Sequence, residues 1–190
     1  MIRMGLAATL VAAMAVSGGS AFSQSSGLSW SYIEGGLSVI DVGFTDEAGF
    51  NIRGSGALGD AFYLHGSYDR WEVDTFFGDE DLDLYRFGVG FHTPLSDRSD
   101  LYVEGSYAGV GFFGANDDGF RVDFGLRGAA NDRLEGRIYA GAQTDNGSSY
   151  EAILGADLVV GLTKQLGLVL AAETYEFDAE VYRVNLRLSF

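Results

Sequence analysis

The segment Tyr182-Arg183-Val184-Asn185-Leu186-Arg187-Leu188-Ser189-Phe190 alternates without a break. Tyr182, Val184, Leu186, Leu188 and Phe190 fall on one face, and Arg183, Asn185, Arg187 and Ser189 on the other. A period of two is the signature of a β-strand. In a soluble sheet such an apolar ladder would be an aggregation-prone edge. A closed barrel in a bilayer suits it better: lipid takes the apolar face, the lumen takes the polar one, and closure removes the edge. The strand points to an all-β fold, an antiparallel up-and-down transmembrane β-barrel.

Composition agrees. The chain has 28 Gly, 14 Phe, 10 Tyr and 2 Trp but a single Pro. Gly lets curved strands approach closely, and aromatics form girdles at the membrane interfaces. With no Cys there is no disulfide, thiolate nucleophile or Cys-based metal site. The net charge of −15 argues against a nucleic-acid partner, which needs clustered Lys and Arg.

The start of the chain reads as a secretory signal peptide. Arg3 supplies the positive charge, Leu6 to Val16 is a short apolar run, and Ser17 to Ser23 is a small-residue cleavage zone. Cleavage after Ser23 or Ala21 fits, giving a signal peptide over 1–23 and a barrel domain over 24–190. Apolar stretches elsewhere are broken by charge or Gly, so no run approaches the ~20 residues of a membrane-spanning helix. Export to a Gram-negative outer membrane is the expected destination.

About ten strands are expected, over 28–40, 49–58, 61–73, 82–92, 101–112, 119–129, 134–144, 149–162, 166–177 and 181–190; merging the weaker segments would give eight. The connections alternate in character. Leu58 to Ala61, Thr93 to Asp100, Ala130 to Arg133 and Leu162 to Gln165 are turn-like and fit the periplasmic side. Asp41 to Ala48, Asp74 to Asp81, Gly114 to Gly119, Asp145 to Ser148 and Asp178 to Glu180 are mostly acidic and fit the extracellular side. An even strand number places each set on one side, with both termini in the periplasm.

Face parity sends charges of both signs inward. The acids are Glu34, Asp69, Glu104, Asp123, Glu135, Glu151, Asp157 and Glu173, and the bases Arg53, Arg86, Arg121, Arg127, Arg137, Arg183 and Arg187. Glu34, Arg86, Glu104, Arg121, Glu135 and Arg187 are the candidates for an interior polar network. Such charges either pair with one another and fill the lumen or line a water-filled pore and set its selectivity. If Glu34 points inward, Trp30 and Tyr32 must point inward with it.

Candidate catalytic groups are few. His65 and His92 are the only histidines, and neither falls at the rim of an outer loop. The rim acids have no His partner for general-base work, so no enzyme and no cofactor is expected. Asp79-Glu80-Asp81-Leu82-Asp83 and Asn116-Asp117-Asp118 offer hard oxygens suited to divalent cations, which also bridge lipopolysaccharide phosphates, but lack EF-hand spacing. Gly88-Val89-Gly90 and Gly109-Val110-Gly111 do not open helices, so they ease curvature rather than hold phosphate.

Several segments carry a resemblance. Trp30-Ser31-Tyr32-Ile33-Glu34-Gly35-Gly36, Leu64-His65-Gly66-Ser67-Tyr68, Tyr85-Arg86-Phe87-Gly88-Val89-Gly90-Phe91 and Leu101-Tyr102-Val103-Glu104-Gly105-Ser106-Tyr107 resemble the small outer-membrane β-barrel proteins of gammaproteobacteria, of the xanthomonad type. The chain is more distantly similar to the OmpX and OmpA transmembrane barrels. The resemblance implies an envelope role in attachment or integrity, outer-membrane lipid including lipopolysaccharide as surroundings, and no catalytic residue. It also implies that the alternating last strand ending on Phe190 is read by the barrel-assembly machinery. A small, porin-like diffusion channel is the alternative.

Overall fold

The computed structural model describes residues 27–43, 46–75, 78–112, 115–144, 150–176 and 178–190. The signal segment expected over 1–23 and the acidic connection at 145–148 lie outside the described residues. Ten strands follow in chain order: β1 (Tyr32–Asp41), β2 (Asp46–Leu58), β3 (Phe62–Thr75), β4 (Gly78–Ser96), β5 (Ser99–Phe112), β6 (Ala115–Asn131), β7 (Leu134–Thr144), β8 (Tyr150–Gly161), β9 (Leu166–Tyr175) and β10 (Ala179–Ser189). Each is antiparallel to its sequence neighbours, and β1 pairs with β10 to close the barrel. Ten strands, not eight, make up the wall.

Alternation sorts the side chains onto two surfaces. Leu37, Phe50, Phe87, Phe120, Ile138, Leu154 and Leu186 are exposed on the outside. Their strand neighbours of opposite parity, among them Ser38, Asn51, Asp123, Arg137 and Arg187, are buried. A soluble protein would reverse that arrangement; a barrel with lipid outside and polar groups inside requires it. On β10, Tyr182, Val184, Leu186, Leu188 and Phe190 face outward while Val181, Arg183, Asn185 and Arg187 are buried in the lumen. Trp30 and Tyr32 point inward with Glu34.

Two acidic segments expected as loops are strand. Asp79–Asp81 belongs to β4, which pairs back to β3 as far as Thr75 with Gly78. Asn116–Asp118 belongs to β6 and pairs with Val110 and its neighbours on β5. Outward-facing cross-strand contacts hold these extensions: Tyr68 donates to Asp83 Oδ1 at 2.7 Å, Arg70 pairs with Asp81, and the Tyr85 hydroxyl donates to Asp118. Sequence patterning misses this because a two-stranded ribbon can be polar on its exposed face and still pair. On the other side, β4 runs through Pro94 to Ser96 and the connection shortens to a turn at 97–98. A register shift lies between Pro94 and Ser96, where a missing ladder donor is tolerated. The turn after β2 uses Gly59 at φ 83, a left-handed conformation that favours glycine.

Large lumenal side chains are accommodated by glycines opposite them. Tyr63 faces Gly90 and Tyr139 faces Gly155 across adjacent strands. A Cβ at Gly90 would stand 2.1 Å from Tyr63 Cζ, and one at Gly155 2.1 Å from Tyr139 Cζ. Each ring therefore occupies the volume its glycine leaves, and Tyr102 does the same over Gly125.

Candidate functional site: the barrel lumen

The lumen is filled in layers. At the end of the barrel where β1 begins and β10 ends, Trp30 precedes β1 yet is 1% exposed. Its indole ring lies 4.3 Å from Tyr63 and stacks on His92 at 4.6 Å. The Arg127 guanidinium sits 4.6 Å from the ring centre. Trp30 Nε1 donates to Asp100 Oδ2 at 2.8 Å, and His92 Nδ1 lies 3.1 Å from the same oxygen. Ser55 Oγ donates to the Trp30 carbonyl at 2.8 Å, which fixes this segment in the barrel mouth.

Above this floor runs an unbroken chain of ion pairs. Glu104 lies 3.7 Å from Arg137, which bonds Asp157 at 2.7 Å. Asp157 also accepts from Arg53 at 2.9 Å, and Arg53 lies 3.5 Å from Glu34. Glu34 accepts from Arg187 Nε at 2.6 Å. Arg187 and Arg127 then share Glu135 at 2.9 and 2.8 Å. Tyr63 donates its hydroxyl to Glu104 at 3.0 Å. Every link alternates in sign, as an array of charges removed from water must.

A second chain lies nearer the opposite end. Arg86 reaches Asp123 at 3.3 Å, Asp123 pairs with Arg121 at 2.8 Å, and Arg121 bonds Glu173 at 2.7 Å. Arg183 stands 3.8 Å from Glu173 and forks onto Asp69 at 2.6 and 3.1 Å. The hydroxyls of Tyr139 and Tyr175 donate to Glu173 at 2.6 and 2.5 Å. Ile40, Trp71 and Val181 cap this chain, packed with Leu82, Leu84 and Tyr175. The cavity left beside the second chain measures only ≈ 20 Å³, the space of about one water.

The six candidate residues divide between the chains: Glu34, Glu104, Glu135 and Arg187 in the lower, Arg86 and Arg121 in the upper. Glu151 departs from expectation: it is exposed, near the start of β8. Asp100 is the acid that parity assignment missed. Grouping it with the turn after Pro94 hid the fact that it shares a face with Tyr102 and Glu104. His65 is buried inward and His92 belongs to the floor. Among the described residues no group of three or more His, Asp and Glu side chains is arranged to hold a metal ion. Asp81 and Asp83 instead face Arg70, with Asp83 3.9 Å from its Nε.

No protein-family profile matches the chain, and no curated protein matches it in sequence. Solved structures do. The KdgM porin in complex with disordered oligogalacturonate superposes with a TM-score of 0.54 at 11% identity, covering 84% of this chain and 99% of that one. The KdgM porin alone gives 0.53 at 12% identity over the same shares. The outer membrane protein OprG from Pseudomonas aeruginosa gives 0.45 at 9% identity, covering 87% and 98%. At this identity the likeness is one of fold: a closed antiparallel barrel of the outer-membrane kind.

Proposed function

We propose that this protein is a non-enzymatic, plugged outer-membrane β-barrel with a structural or surface-interaction role in the cell envelope. One observation carries the reading: the two ion-pair chains, between the Trp30 floor and the Trp71 cap, occupy the lumen along its length. Narrow barrels are filled by side chains in this way. The apolar outer face supports residence in lipid, lipopolysaccharide included, and the resemblance to xanthomonad-type small barrels supports an attachment or integrity role. The alternating face of β10 supports recognition by the barrel-assembly machinery, and the export signal read over 1–23 supports delivery to it. The acidic extracellular hairpins suit divalent cations shared with lipid phosphate. The test is solute entry into proteoliposomes. A plugged barrel leaves them no more permeable to small sugars and ions than empty vesicles, and measurable flux through folded protein overturns the reading.

A small diffusion channel is the second reading, favoured by the superposition on the KdgM porin. That porin's oligogalacturonate would suggest an acidic sugar as solute, and the lumenal arginines as its attractors. The same flux assay, run with charged and neutral sugars, separates the two.

A further inference from the structure

We infer that the lumenal cavity beside Arg86 is a binding site for one monatomic anion of halide size. Arg53, Arg86, Arg121 and Arg183 line it with Asp69 and Glu173; Asp123 stands between Arg86 and Arg121, and Asp157 holds Arg53. The acceptors in this layer are unevenly shared. Arg121 Nε bonds both oxygens of Asp123, at 2.8 and 3.0 Å, and its Nη2 takes Glu173. Arg183 takes both oxygens of Asp69. Arg86 is left with a long 3.3 Å contact to an Asp123 oxygen that Arg121 already uses, and its Nε is buried with no acceptor among the described residues.

A buried guanidinium N–H without an acceptor is costly, and the cavity it borders holds a single small particle. Water supplies an acceptor there. A halide supplies the acceptor and places its charge on Arg86, whose carboxylate contact is the long one to the Asp123 that Arg121 shares, without the bulk of an oxyanion such as phosphate. The Arg86 side chain keeps 12% of its surface exposed, the largest share among the lumenal arginines of the two chains, which gives a small ion a route in.

The direct test is diffraction from crystals of the unaltered protein grown or soaked in sodium bromide. An anomalous bromine peak within hydrogen-bonding distance of Arg86 Nε is expected. Bromide absent from the cavity, or found only on the protein surface, overturns the assignment. In solution, chloride is expected to raise the unfolding midpoint of the micelle-bound barrel in a saturable way, relative to gluconate at equal ionic strength. Arg86→Gln should remove that difference. Equal midpoints in the two salts, or a chloride effect that persists in Arg86→Gln, count against the site.

Discussion

Glu34 and Arg187 are direct register partners across the β1–β10 seam, and on the lumen side the carboxylate accepts from Arg187 Nε at 2.6 Å and Nη2 at 2.5 Å. The contact that joins the two ends of the barrel in sequence is thus also a buried ion pair. Arg187→Leu strands Glu34 with only the 3.5 Å contact to Arg53 and the Asn185 amide. Breaking a buried pair from one side costs about 3–5 kcal/mol. Equilibrium unfolding in urea should show a loss of that order. The double variant Glu34→Leu/Arg187→Leu should be less destabilised than Arg187→Leu alone, because no carboxylate is left behind.

The Tyr–Gly contacts give a second expectation. Gly90→Ala forces the Tyr63 ring off its seat and off Glu104, while Gly155→Ala does the same to Tyr139 and Glu173. Overpacking of this kind costs about 1–3 kcal/mol. The effect of Gly90→Ala should shrink markedly when Tyr63 is already Ala, and a double-mutant cycle in the same unfolding assay reads that coupling.

Position on the outer wall should govern tolerance to charge. Leu186→Arg places a guanidinium on the lipid face of β10, opposite Gly35 and Leu168. The cost is about 2–4 kcal/mol near the bilayer midplane and falls to about 0–1 at the interfaces. Phe190→Arg, at the edge of the wall just past β10, should therefore be the milder of the two. Refolding yield into lipid vesicles and the urea midpoint measure the difference.

The acidic ribbons should behave as surface, in contrast to the lumen. Arg70 meets Asp81 and Asp83 where all three side chains are partly open to solvent. Exposed pairs contribute about 0–1 kcal/mol, so Arg70→Ala should shift the unfolding midpoint little. Arg121→Ala, which leaves Asp123 the long contact to Arg86 and Glu173 a 3.8 Å contact to Arg183 with two tyrosine hydroxyls, should shift it far more.

Much of the fold was legible because barrel physics writes itself locally. Every wall strand must alternate, so residues 182–190 display both faces of β10, and the order of turns and acidic connections displays the topology. The strand ends were less legible. Asp79–Asp81 and Asn116–Asp118 look like loop sequence, yet pairing with β3 and β5 makes them strand. Partner choice in the lumen was not legible at all. Arg53 and Asp157 are separated by 104 residues and meet at 2.9 Å only because closure turns β2 and β8 toward a common axis. Parity can send both inward, but the stagger of the closed sheet decides which charge each one reaches. Asp100 shows the reverse error: its parity was available, but a neighbouring Pro and a cluster of polar residues disguised the strand.

Whether the lumen is closed by its own side chains is tested most directly by single-channel recording. Mature protein refolded in micelles and inserted into a planar bilayer should give no discrete current steps, at either polarity and across a range of salt. Reproducible unitary steps from protein shown to be folded would contradict the plugged barrel and make the channel reading the correct one.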